Sequence, residues 1–161
     1  MSDFNAALGS AITGQVGPLV TASVLLTDKS GNVLLVRSAD AHSWTIPSSV
    51  VAGDEVPHDC VERLAAQQFG LTAIAGRLLA IRWTPAVNGS NRASIDFLFD
   101  GGAVHNEAAM SADACAQATS RFFSWEQAEN EMSATLAEWL RSARDACEDR
   151  GATYISSATG P

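Results

Sequence analysis

The stretch "ERLAAQQFG" at residues 62–70 sets Leu64, Gln67 and Gln68 just after Arg63. Read as a helix, positions 64, 67 and 68 are spaced i, i+3 and i+4 and share one face. Carboxylates on such a face could gather a divalent cation, which wants anionic oxygen. This face instead offers two neutral amides and a leucine. A glutamine carbonyl can ligate a cation without adding charge, whereas leucine cannot ligate at all. The nearby acids lie elsewhere. Asp54, Glu55 and His58 cluster at the predicted helix start, where they could form an acid/base group; a solvated helix N-terminus has the same composition. Asp59 stands four residues before Arg63 and is a candidate ion-pair partner for it. Glu62 lies about 100° round the helix from Arg63, away from the Leu64 face.

Other residues could line a pocket. Trp44, Arg82 and Trp83 suit a stacked base or ring, although core packing is the simpler fate of both tryptophans. His42 precedes the extended piece "SWTIP". Asp96 falls in a predicted strand, and Asp100-Gly101-Gly102 reads as a turn. Cys60, Cys115 and Cys147 are far apart, with no CxxC pair and no even disulfide set, which fits buried thiols in a reducing cytoplasm.

The chain has 161 residues, 47% of them hydrophobic and 17% charged, which suits one globular domain with a true core. Its formal net charge of -8 argues against an electrostatic grip on nucleic acid or on anionic membrane. A small phosphorylated ligand held by one or two local cations remains compatible with that charge. The N-terminus lacks a secretory pattern, and no apolar run is long enough to span a bilayer. The expectation is a soluble cytoplasmic protein.

The secondary structure around these residues follows from pattern. Residues 1–18, with Phe4, Leu8 and Ile12 as their apolar positions, read as a loose or weakly helical arm that could pack on a partner chain in a homodimer. Residues 19–161 form the domain. "LVTASVLLTD", the turn "KSGN" and "VLLVRS" predict a β-hairpin, and "SSVVAGDEV" predicts a loop. Pro57 opens a helix that runs to about Phe69 and closes on Gly70. Strands are predicted over 72–85, 92–100 and 120–125, with Ser124 capping a short helix. Residues 133–151 are strongly amphipathic, with Leu136, Trp139, Leu140, Ala143 and Cys147 on one stripe. "ATYISS" could add an edge strand. The class is a mixed α/β sandwich.

The layout of residues 49–71 resembles the Nudix box. That signature reads Gly, five residues, Glu, seven residues, then Arg-Glu-aliphatic-any-Glu-Glu-any-Gly-aliphatic. Gly70 and Leu71 match its end, Arg63 its arginine and Glu55 its first glutamate, without a gap. "WTIP" is similar to the lead-in, with Ser48 and Ser49 where the family has two glycines. The hairpin before the box, the strands "GRLLAIRWTP" and "FLFDGG", and "FFSWEQA" extend the resemblance over roughly residues 19–155. It implies a Nudix-type α/β/α sandwich with a mixed sheet. It also implies a scaffold role for the Glu55–Arg63 pair, and places Leu64, Gln67 and Gln68 where the family carries metal-binding glutamates.

The functional expectation is a Nudix-fold protein that binds a small, nucleotide-like molecule or performs metal-independent chemistry. Leu64, Gln67, Gln68, Trp44, Arg82 and Trp83 are its candidate ligand contacts, and it has no metal ligands and no cofactor. The alternative is a divergent hydrolase of a nucleoside diphosphate linked to another moiety, with Mg²⁺ or Mn²⁺ held by other carboxylates.

Overall fold

The computed structural model describes residues 17–72, 75–86, 92–104, 118–149 and 151–156. Most of the predicted N-terminal arm, residues 1–16, lies outside them, as does Cys115. Strand β1 (Leu19–Thr27) is followed by β2 (Val33–Ser38), β3 (Ser48–Val50) and helix α1 (Pro57–Phe69). Strands β4 (Leu78–Thr84), β5 (Ser94–Ala103) and β6 (Ala118–Phe123) come next, then helices α2 (Trp125–Glu131) and α3 (Ala134–Asp149) and strand β7 (Thr153–Ser156).

Seven strands form one mixed sheet in the order β6-β2-β1-β5-β4-β7, with β3 paired to β1 off that path. The central pair β1–β5 is parallel, as is β4–β7, and the remaining pairs are antiparallel. The predicted hairpin is splayed. Beyond its Asp28–Asn32 turn, β1 and β2 share the single register pair Thr27↔Val33. Strand β2 then diverges to pair with β6 along its whole length, and β3 takes its place beside the first half of β1. The segment read as a loop therefore opens with a three-residue strand, too short to leave a periodic signal.

Alternation along β1 builds the two cores. Ala22, Val24 and Leu26 face α1 and join Cys60, Val61, Leu64, Phe69 and Phe99. Leu25 faces the other side, with Leu98, Trp139, Leu140 and Ala143 beneath α2 and α3. The result is the α/β/α sandwich expected from the sequence. Helix α1 starts with Pro57 in its first turn and ends at Gly70 in the left-handed conformation, φ 64°. Ser124 and Gln127 form a capping box for α2.

The predicted turn at Asp100-Gly101-Gly102 is instead the end of β5. A side chain at Gly101 would bring its Cβ within 2.4 Å of Val24 and 2.7 Å of Leu26. Glycine thus lets β5 pass closely over β1 where the register slips between Leu25 and Thr27.

Candidate functional site

The loop before α1 is tied to the helix by one residue pair. Arg63 Nε donates to Glu55 Oε1 at 2.8 Å and Nη2 donates to Glu55 Oε2 at 2.9 Å. This two-point geometry matches a planar guanidinium to a carboxylate. The same Nη2 reaches the Val50 carbonyl oxygen at 3.4 Å, and the Ala52 amide donates to Glu55 Oε2 at 3.1 Å. Strand β3, the loop and α1 therefore close on these two side chains. The Arg63 hydrogen bonds, then that of the Ala52 amide, hold the Glu55 carboxyl down at about 2. Glu55 in turn raises the Arg63 pKa. Arg63 takes Glu55 rather than Asp59, which has no ion-pair partner among the described residues.

Beneath the pair, the Cys60 thiol lies buried against the Ser49 and Val50 carbonyl oxygens. Burial first, and the nearby Glu55 charge second, push the thiol pKa up. Cys60 is thus held as a thiol rather than a thiolate.

The helix face at 64, 67 and 68 is split by its surroundings. Leu64 is 2% exposed and belongs to the apolar core under α1. Ala22, Val24 and Phe99 of the sheet belong to the same apolar cluster. Gln67 is exposed and accepts a long hydrogen bond from Arg63 Nη1 at 3.5 Å, and Gln68 is half-buried. Among the described residues, no group of three His, Cys, Asp or Glu stands close enough to hold a metal ion. Both Glu55 oxygens are already engaged. On the α1 face itself, Leu64, Gln67 and Gln68 offer no carboxylate.

The remaining candidates do not converge. Trp44 is 5% exposed, with its ring centroid 4.9 Å from that of Phe123 in an edge-to-face pair and Arg37 4.7 Å over its ring, which makes it a core residue. The Val36↔Thr45 bridge and the hydrogen bond from the Trp44 amide to Glu131 pin it there. Arg82 and Trp83 are neighbours on β4 and so face opposite sides of the sheet. Arg82 pairs across the strands with Asp96 at 3.2 Å and lies 4.9 Å over the Trp139 ring, on the α3 side. Thr21, level with Asp96 on β1, donates its hydroxyl to the same carboxylate. Trp83 pairs with Ile95, on the α1 side. His42 and His58 are both exposed, and the His58 ring rests 4.5 Å from that of Phe99.

Sequence reasoning missed a cavity of about 580 Å³ beside Glu55. Its walls come from the β1 start (Pro18, Leu19, Val20), the 50–53 loop and β5 (Ile95, Phe97), with Arg92 at its rim. No local motif marks it, because its lining is spread over four segments.

The NUDIX domain profile matches residues 17–143, so the chain belongs to the Nudix family. Its solved structural neighbours show the same fold. A MutT protein from Methanosarcina mazei Go1 aligns at TM-score 0.65 and 19% identity, covering 86% of this chain and 100% of its own. A UDP-X diphosphatase aligns at TM-score 0.61 and 18% identity, covering 96% of this chain and 75% of its own. A Nudix hydrolase from Nitrosomonas europaea aligns at TM-score 0.62 and 15% identity, covering 81% of this chain and 90% of its own. No curated protein sequence matches.

Proposed function

We propose that this Nudix-family chain carries a degenerate box and does not perform conventional Mg²⁺-dependent hydrolysis of phosphoanhydrides. The observation that carries this reading is the burial of Leu64. A position that must offer an anionic oxygen in the family signature is here 2% exposed inside an apolar core. Gln67 and Gln68 add hydrogen-bonding amides without charge. The Glu55–Arg63 pair is engaged by contacts within the loop and α1 and works as a scaffold that fixes the loop on α1.

The proposed activity is binding of a small, nucleotide-like molecule without a metal cofactor. Gln67 and Gln68 supply adaptable donors and acceptors next to Arg63. The net charge of -8 disfavours nucleic acid and anionic membrane as partners. No helix among the described residues is long and apolar enough to cross a membrane. We take the site of action to be the cytoplasm.

The test uses the full chain with nucleoside triphosphates, nucleotide sugars and dinucleotides, with Mg²⁺ or Mn²⁺ and again with a chelator. The reading predicts no nucleoside monophosphate product, with a melting shift from one nucleotide class that persists in the chelator. Nucleoside monophosphate formation that a chelator abolishes would overturn it and establish the divergent hydrolase instead.

A further inference from the structure

The cavity of about 580 Å³ beside Glu55 falls within the size of small-molecule sites, roughly 300–1,000 Å³. It lies on the α1 side of the sheet, with Val20, Ile95 and Phe97 on its floor. Arg82, Asp96 and Thr21 occupy the opposite face of the same strands. Neither Gln67 nor Gln68 lines the cavity, so it is separate from the α1 face as well.

Its polar lining is already engaged within the protein. Glu55 accepts from Arg63 at both oxygens and from the Ala52 amide. Arg92 donates from Nε and Nη2 to the Gly17 carbonyl, at 3.1 and 2.7 Å, and the Val51 amide donates to the Val20 carbonyl at 3.0 Å. An anionic ligand would therefore meet a carboxylate, kept ionised by its low pKa, and an arginine already turned to a backbone oxygen. The other walls, among them Pro18, Leu19, Val50, Val51 and Pro57, are apolar. On the floor, the Phe97 ring lies 18° from parallel to that of Phe99 with centroids 6.4 Å apart, which fixes the plane it offers for stacking. The apolar floor continues across β4, where half-buried Trp83 is level with Ile95 and half-buried Ile81 with Phe97.

We propose that this cavity binds a neutral aromatic small molecule, seated on Ile95 and Phe97 between the 50–53 loop and the start of β1. Such a ligand removes apolar surface from water on both sides of the contact and strands no charge. The same ring carrying a phosphate is rejected, because its charge loses water without gaining a cation. This inference is independent of whether the α1 face binds a metal or a nucleotide.

The experiment titrates the full chain with phenylnaphthylamine, a neutral dye whose emission rises in apolar surroundings. One saturable site is expected. G53W should fill the cavity and V50E should set a second carboxylate at its wall, each weakening the dye by about tenfold or more. Both variants should keep the wild-type melting temperature, since an added Cβ at Gly53 meets nothing within 4 Å and Val50 is 53% exposed. Naphthol should displace the dye, and naphthyl phosphate should do so at least about tenfold less well. A signal that never saturates, or a dye affinity unchanged in both variants, would overturn the proposal. Equal competition by naphthol and naphthyl phosphate would overturn it too, by showing a site that accepts anions.

Discussion

Arg63 grips Glu55 at two points, Nε on Oε1 at 2.8 Å and Nη2 on Oε2 at 2.9 Å, across eight residues of chain. The contact spans the boundary between the 50–56 loop and α1, so it orders one element against another. Glu55 is held at about 2 in the folded protein, against an ordinary value of 4.5. Its folded pKa is depressed, so the associated stability is fully present above pH 4.5 and is lost as pH falls toward 2. Melting temperatures of wild type and E55Q measured from pH 7 to pH 2 should converge over that window. Because Arg63 is 36% exposed, 1 M salt should narrow the gap at pH 7. Parallel curves at every pH would contradict the pair's role.

Leu64 should behave as a core residue. L64A is expected to cost about 2–5 kcal/mol in urea unfolding, the range for truncating a buried leucine. L64E should be worse, since it buries an unpaired carboxylate. Q67E should cost much less, because Gln67 is exposed. Restoring the family's acids therefore requires repacking around position 64. An L64E variant as stable as wild type would show that the side chain swings out to solvent.

Arg82, Asp96 and Thr21 form one polar row across β4, β5 and β1. The Arg82 and Asp96 side chains are 15% and 13% exposed, so D96A should strand a largely buried guanidinium. A loss of about 3 kcal/mol is expected, in line with breaking a buried pair from one side. The Trp139 ring under Arg82 should report the change in its fluorescence. A loss below about 1 kcal/mol would place the pair among weak surface contacts.

Gly101 is a steric requirement of the β1–β5 contact. G101A should destabilise by about 1–3 kcal/mol, the cost of overpacking a tight site. Combining G101A with V24A should recover part of that loss, since Val24 Cγ2 is the nearest atom. No recovery would locate the strain elsewhere.

The legible parts of the fold were those with strong local chemistry. Pro57 and Gly70 bracket α1, and Ser124 with Gln127 caps α2, because caps are decided by a few adjacent residues. The splayed hairpin and β3 were hidden. Which edge of β1 is taken by β2 and which by β3 depends on partners distant in sequence. At the site, the frame of Glu55 and Arg63 was readable from the box spacing. The fate of Leu64 was not, since spacing defines a helix face but not what covers it. Trp83 and Arg82 could have been separated from the outset, because adjacent strand residues point to opposite faces. The groove beside Glu55 had no sequence signal at all.

On the proposed function, the α1 face holds no divalent cation. Titration of the full chain with Mn²⁺, read by the electron paramagnetic resonance signal of the free ion, tests it directly. No saturable site is expected in the micromolar range, and the signal should grow in proportion to added Mn²⁺. One tight, stoichiometric site that Mg²⁺ displaces would contradict it.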